Sequence, residues 1–225
     1  MTKETAQKPG DPPRFIVVEG PIGVGKTSLA IRLAESFNGE VVLEHPEENP
    51  FLERFYKSGR NAALPAQLFF LFHRARHLED LRQSDLFSPV RVADFHFAKD
   101  RLFAELNLDP EELRLYDQIT QKLDVDVPVP DLTIYLQASV DALMRRIVRR
   151  GRPYERHIDR AYLERVADAY ARFFHRYDDG PLLIVNASSI DPIHNDADYE
   201  QLWQQIRRTT GGRHFFNPAA AAAFA

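Results

Sequence analysis

The sequence predicts an α/β chain: a five-stranded parallel sheet with helices on both faces. Three observations carry this. Apolar runs of strand length alternate with helical patterns along most of the chain, the order expected of βα units joined by right-handed crossovers. These runs are rich in Val, Ile and Leu and lack in-out alternation, as strands covered on both sides do. Finally, the first of them passes through a glycine-rich bend directly into a helical pattern, "FIVVEGPIGVGKTSLAIRL", Phe15 to Leu33.

The strands are expected at Phe15–Glu19, Val41–Leu43, Val90–Ala93, Leu132–Leu136 and Leu182–Val185. The helices between them are marked by their termini and periodicity. In "DPEELRLYDQITQKL", Asp109 suits an N-cap, Pro110 the first helical position, and Glu111 and Glu112 the first turn. "PAQLFFLFHRARHLEDL" (Pro65 to Leu81) places Leu68, Leu71, Phe72, Ala75 and Leu78 on one face, and Ala161 to Tyr177 repeats that kind of spacing. Residues 1–13 read as a flexible leader, residues 14–209 as one domain, and residues 210–225 as a tail. There two glycines and a proline precede an alanine run, which argues for disorder or loose docking. No internal repeat or interdomain linker stands out.

Composition narrows the classes. A chain of 225 residues, 44% hydrophobic and 28% charged, suits one soluble domain with a substantial core. No apolar stretch approaches the ~20 residues that span a bilayer, and the first fourteen residues resemble neither a signal nor a transit peptide. With no cysteine, disulfides, thiolate metal sites and cysteine nucleophiles are excluded. A cytoplasmic protein is the simplest expectation. The net charge of −4 gives no global field for nucleic acid. The seven arginines between Arg145 and Arg160, "RRIVRRGRPYERHIDR", are a local exception with little aromatic interleaving.

The bend is a phosphate-binding loop. "GPIGVGKT", Gly20 to Thr27, satisfies G-x-x-x-x-G-K-[ST] in the strand-loop-helix setting the motif requires. Gly23 and Gly25 permit backbone angles that let successive N–H groups converge on phosphate oxygens, and the following helix points its positive end at the same place. Gly20, Ile22, Gly23, Val24, Gly25, Lys26, Thr27 and Ser28 are thus the expected triphosphate-binding residues. Lys26 is a point charge for the β- and γ-phosphates and the Thr27 hydroxyl a ligand for Mg2+. The fold expected is that of P-loop nucleoside triphosphatases.

Ligands of open α/β sheets bind at the carboxyl ends of the strands. Glu44 follows the second strand and Asp94 the third. Asp94 is the candidate Mg2+-holding acid, with Thr27, and Glu44 the candidate base for an attacking hydroxyl.

With these residues in hand, the chain from about Phe15 to Tyr177 resembles the deoxynucleoside kinase family, P-loop enzymes that phosphorylate the 5′-hydroxyl of deoxynucleosides; bacterial purine-preferring members look most similar. The resemblance is carried by the phosphate loop, "LEHPEENPFLERFYKS", "PAQLFFLFHR", "ADFHFAKDRLFA" and "RRGRPYERHI", in that order. It implies ATP and Mg2+ as cofactors and a purine deoxynucleoside, deoxyadenosine first, as acceptor, and family members are commonly homodimers. It also implies that Glu44 accepts the 5′-hydroxyl proton, Tyr56 and Glu155 bind the sugar 3′-hydroxyl, and Gln67 reads the base. Arg150 and Arg152, in an arginine-rich lid, would close on the transferring phosphoryl group. One departure is plain: the family commonly has Arg after the third-strand acid, and here stands Phe95, with His96 near the usual serine. Arg101 or a lid arginine is the candidate replacement. Phe95 and Phe103 are either core or an apolar wall for the base, and His96 either a base contact or a structural histidine.

Two rival functions share the loop. A nucleoside monophosphate kinase needs a positive acceptor pocket, whereas Glu44, Glu47 and Glu48 would repel a substrate phosphate. A guanine-specific switch needs N-K-x-D after a late strand, where this chain has "VNASSID" without the lysine.

Overall fold

The computed structural model describes residues 13–82, 90–123 and 127–218. Residues 1–12 of the expected leader and 219–225 of the expected tail lie outside the described residues.

Among the described residues, six strands form one parallel sheet: β1 Phe15–Glu19, β2 Glu40–Val42, β3 Arg91–Ala93, β4 Leu132–Gln137, β5 Leu182–Asn186 and β6 Arg213–Phe216. Their spatial order is β2-β3-β1-β4-β5-β6. The chain thus runs to one side of β1 for β2 and β3 and to the other for β4 onward, leaving a crevice at the carboxyl end of β1. Register is continuous across the centre, with Val17 of β1 opposite Ala93 of β3 and Thr133 of β4. The central strands are buried along nearly their whole length, as their unalternating composition requires.

The sixth strand corrects the five-stranded expectation. Residues 213–216 come from the stretch read as a tail and pair with β5 from Leu182↔Arg213 to Val185↔Phe216. Gly212, at φ +66°, turns the chain in, and Arg213 donates to the carbonyls of His175 and Tyr177 at 3.1 and 2.9 Å. Without this segment β5 would present an unpaired edge.

The helices are α1 Lys26–Ser36, α2 Leu52–Ser58, α3 Ala63–Arg82, α4 Lys99–Asn107, α5 Pro110–Leu123, α6 Val140–Arg150, α7 Arg160–Arg176 and α8 Asp196–Arg208. Several start where side-chain chemistry places them. Asp109 accepts from the backbone N–H of Glu111 and Glu112 while Glu112 accepts from that of Asp109, closing a reciprocal cap on α5. Ser139 caps α6 and Asp159 caps α7. Both faces of the sheet are covered. Tyr135 of β4 stacks on Phe174 of α7 at 4.1 Å, while its neighbour Leu136, pointing to the opposite face, shares a cavity wall with Leu29 of α1.

Beside the sheet, α3, α4 and α5 share a smaller core of Ala63, Leu71, Ala104, Leu108 and Tyr116. On α3 the buried face differs from the expected one: Leu71, Ala75 and Leu78 are buried, but Phe72 is 47% exposed. In its place the inward face carries two polar side chains, Gln67 and Arg74.

Candidate active site

The loop after β1 has the conformation its glycines allow. Gly23 and Gly25 lie at φ +83° and +107°, and a Cβ on Gly23 would come within 2.8 Å of Ile147 Cγ1 and 3.1 Å of the Leu143 carbonyl. Lys26 Nζ folds back on the loop and donates to the carbonyls of Gly20 and Pro21 at 2.6 and 3.3 Å. Burial, together with the nearby Lys99 ammonium, holds the Lys26 pKa down at about 8. The Thr27 hydroxyl donates to Asp94 Oδ2 at 2.5 Å, and Asp94 Oδ1 accepts from the backbone N–H of Glu44 at 2.9 Å. Asp94 therefore ties the ends of β2 and β3 to the first turn of α1. Burial, and then the charge of Glu44, raise its pKa.

Two adjoining cavities open on this loop. The first, about 870 Å³ counted to its open mouth, brings together Ile22, Gly23, Lys26, Thr27, Glu44, Tyr56, Gln67, Asp94, Phe103, Arg150, Arg152 and Glu155. These are predicted site residues from the five quoted stretches of sequence. The second, about 890 Å³, meets the first at Gly23 and Arg150 and is lined by Val24, Gly25, Ser28, Arg146, Arg149 and residues 187–194 in part. Gly20 lines neither, but its carbonyl holds Lys26.

Glu44 lies two residues past the end of β2, buried, and faces the cleft with Lys26. Its Oε1 accepts from Arg74 Nε at 2.7 Å and also from Arg74 Nη2; its Oε2 accepts from Lys99 Nζ at 2.8 Å. Burial would raise the Glu44 pKa, but Arg74 and Lys99 overcome it and hold the carboxyl at about 2. Arg74 also donates through Nη1 to Asp100, whose pKa is pushed up to about 6 by burial in spite of that contact. Gln67 Nε2 donates to the Asp100 carbonyl and Oδ1 at 3.0 and 3.2 Å. A bidentate contact between Gln67 and a base would take one of these N–H groups from Asp100.

The cations on Glu44 are not the expected ones. Arg101, on the outward side of α4, donates to Glu105 at 2.8 Å and to Asp117, half exposed on the surface. Arg150 donates to Glu155 at 3.1 and 2.5 Å. Arg152 donates to the Tyr154 hydroxyl at 2.6 Å and stands 3.6 Å from Glu47. The Arg74–Lys99–Asp100 cluster was absent from the sequence reading. Its signal was an Arg at helical spacing from Gln67 on an apolar face, and a charged triplet, Lys99 to Arg101, at a helix start.

Phe95 is core, packed with Val17 and Ala93, whereas Phe103 lines the cleft and meets the Tyr170 ring edge-on. His96 is buried with its Nδ1 accepting from Ala98 N–H at 3.1 Å and its ring against Phe173 and Tyr177, a structural role. Tyr56 packs against Phe55 and Tyr162. Glu47 and Glu48 stay outside the cleft, facing Arg152 and His73 respectively, and the cleft itself sets Lys26, Arg74, Lys99, Arg150 and Arg152 against Glu44, Asp94 and Glu155, so the expected repulsion of a substrate phosphate by this acidic run is not built into the cleft.

In the run of seven arginines, Arg146 donates to the carbonyls of Val24 and Ala187 at 3.0 and 2.7 Å, bracing the phosphate loop on the end of β5. Gly151, at φ +67°, ends α6 and turns the chain into the segment carrying Arg152, Tyr154 and Glu155. Chemically, the arrangement sets a phosphate-holding loop and a paired hydroxyl and carboxylate opposite a second carboxylate, with room for an organic acceptor between them.

The deoxynucleoside kinase family model matches residues 16–210. A deoxyguanosine kinase of Bacillus subtilis is 37% identical over 201 residues, covering 86% of this chain and 96% of that protein. A deoxyadenosine kinase of Lactobacillus acidophilus is 28% identical over 207 residues, covering 86% and 94%. Among solved structures, a deoxyadenosine kinase from M. mycoides with dCMP and dCDP bound superposes with a TM-score of 0.74 at 25% identity, covering 85% of this chain and 98% of that one.

Proposed function

This chain belongs to the deoxynucleoside kinase family, and on that premise we propose that it transfers the γ-phosphate of ATP to the 5′-hydroxyl of a purine deoxynucleoside. Relatives named as deoxyguanosine and deoxyadenosine kinases support a purine acceptor, and one named as a deoxyadenosine/deoxycytidine kinase makes the choice of base a matter for assay. The observation that carries the reading is the single cleft in which Lys26, Thr27 and Asp94 face Glu44.

Phosphoryl transfer asks the protein for alignment and charge stabilisation more than for covalent chemistry. The loop N–H groups and Lys26 hold the β- and γ-phosphates. Thr27 and Asp94 offer two hard oxygen donors 2.5 Å apart, a set that fits a Mg2+ completing its shell with phosphate and water oxygens. Mg2+ held by Thr27 and Asp94 would supply neutralisation of phosphate charge. Glu44 accepts the 5′-hydroxyl proton as the oxygen attacks. Tyr56 and Glu155 hold the 3′-hydroxyl, Gln67 reads the base, and Phe103 gives it an apolar wall. Arg150 and Arg152 meet the transferring group once Arg150 exchanges Glu155 for phosphate oxygens, and closure of their segment excludes water as a competing acceptor.

The test is a panel of the four deoxynucleosides with ATP and Mg2+, run on the wild type and on Glu44→Gln. Turnover is expected with purine deoxynucleosides, and E44Q should bind ATP yet lose at least roughly tenfold in kcat, the lower side of a general-base contribution. Wild-type turnover by E44Q would remove Glu44 from the mechanism. Phosphorylation of deoxynucleoside monophosphates in preference to deoxynucleosides would overturn the acceptor assignment.

A further inference from the structure

We propose that Lys99 is a positioning residue for the transfer: it fixes Glu44 and receives the acceptor oxygen beside it. The inference rests on the reading of Glu44 as the proton acceptor. It begins with a count of acceptor sites. A carboxylate offers about four lone-pair sites. Arg74 occupies two on Oε1, through Nε and Nη2, and Lys99 occupies one on Oε2. The remaining site is on Oε2. A sugar hydroxyl that donates to Glu44 therefore donates to the oxygen Lys99 already holds, and its own oxygen arrives next to the Lys99 ammonium.

Lys99 has donors free for that oxygen. Its second carboxylate neighbour, Glu19 Oε2, stands 3.9 Å away, close enough to attract but too far for a hydrogen bond. Glu19 is itself immobile: it accepts from the N–H groups of Gly20 and His96 and from the Tyr170 hydroxyl, at 2.9, 2.7 and 2.9 Å. One carboxylate thus anchors the ammonium while the other does the chemistry.

The fold gives no reason of its own for a lysine here. Lys99 is the first residue of α4, where the positive end of the helix disfavours a cation. It is 5% exposed, and buried ion clusters are a weak source of stability. It nonetheless lines the cleft, and it stands four residues after Phe95, the position where the expected arginine is missing. In the transfer, the 5′-hydroxyl proton passes to Glu44 Oε2, the oxygen electron pair forms the new bond to the γ-phosphorus, and the bond from that phosphorus to the ADP oxygen breaks. Lys99 keeps all its protons.

The experiment compares K99M, K99R and K99A with wild type, using ATP, Mg2+ and the preferred purine deoxynucleoside. K99M is expected to bind ATP with little change in its KM but to lose at least roughly tenfold in kcat. K99R should keep more turnover than K99M, and propylamine should restore part of K99A turnover in a saturable way. Wild-type kcat in K99M overturns the proposal, as does a loss in K99A that propylamine does not relieve. Where K99M does not fold, K99A decides: a folded K99A protein with wild-type kcat overturns the proposal. E44Q separates the two ideas, since loss of turnover in E44Q with none in K99M removes Lys99 alone.

Discussion

Replacing Arg74 by methionine should damage this protein more than any other single arginine change. Arg74 is 2% exposed and spends its guanidinium on Glu44 through Nε and Nη2 and on Asp100 through Nη1. Methionine fills similar volume but leaves two buried carboxylates without their shared cation. Removing one partner of a buried pair typically costs about 3–5 kcal/mol. At about 2–4 °C per kcal/mol for a domain of this size, the melting temperature should fall by roughly 6–20 °C. The deficit has a pH sign. Asp100 already sits near pKa 6, above its ordinary value, so its protonated form favours the fold and that contribution is lost as pH rises through 6. Without Arg74 its pKa rises further, and R74M should be least impaired near pH 6 and most impaired near pH 8. The control is R101A. Arg101 is half exposed and its surface pairs with Glu105 and Asp117 are each worth about 0.2–1 kcal/mol, so melting should fall by a few degrees at most and turnover should persist. Thermal melts at pH 6, 7 and 8 with kcat at pH 7 decide the matter. An R74M protein that melts with the wild type at all three pH values, or an R101A protein that loses turnover, would refute the assignment of the Glu44 cations.

Three further outcomes are expected. ATP affinity should be full below about pH 8 and fall above it, up to tenfold per pH unit, because Lys26 titrates near 8 in the free cleft and phosphates raise its pKa on binding; calorimetry from pH 7 to 9.5 reads this, and a flat profile would take Lys26 off the phosphates. G23A should fold but lose ATP binding, since a Cβ at φ +83° meets Ile147 and the Leu143 carbonyl; ATP binding at wild-type strength would show that the loop tolerates a different path. Truncation after Thr209 removes β6 and leaves the β5 edge and the carbonyls of His175 and Tyr177 without their Arg213 partner. That protein should melt lower and aggregate, and a monodisperse form of unchanged melting temperature would put the domain boundary at residue 209.

How much of this was legible in the sequence depended on the range over which each feature is determined. The phosphate loop is a run of consecutive backbone groups, so its glycines, Lys26 and Thr27 could be read directly. Glu44 and Asp94 were readable as cleft residues because a parallel sheet brings its strand ends to one crevice. The strand β6 was not. Its four residues alternate between exposed and half-buried, and they are flanked by the breakers Gly211, Gly212 and Pro218. What makes them a strand is the open edge of β5, a property of the assembled sheet. The choice among Lys99, Asp100 and Arg101 was hidden for a similar reason. Three charged residues in succession can point inward or outward according to the helix phase, and the packing of Leu102 and Ala104 sets that phase. Arg74 hid in "HRARH", a run that reads as solvated surface until the turn of α3 carries it inward with Leu71 and Leu78.

If Glu44 takes the 5′-hydroxyl proton as proposed, the charge arrangement bears on how it works. A carboxyl held at about 2 by Arg74 and Lys99 is a feeble proton acceptor at neutral pH. That would disable an enzyme whose transition state required an alkoxide beforehand. Phosphoryl transfer through a loose transition state does not, because the attacking oxygen carries little negative charge until the new bond is well advanced, and its proton becomes acidic only then. The same two cations that weaken Glu44 as a base also fix where its one remaining lone pair points. For this reaction, a carboxylate that is always ionised and cannot turn is more use than one with a higher proton affinity and freedom to rotate.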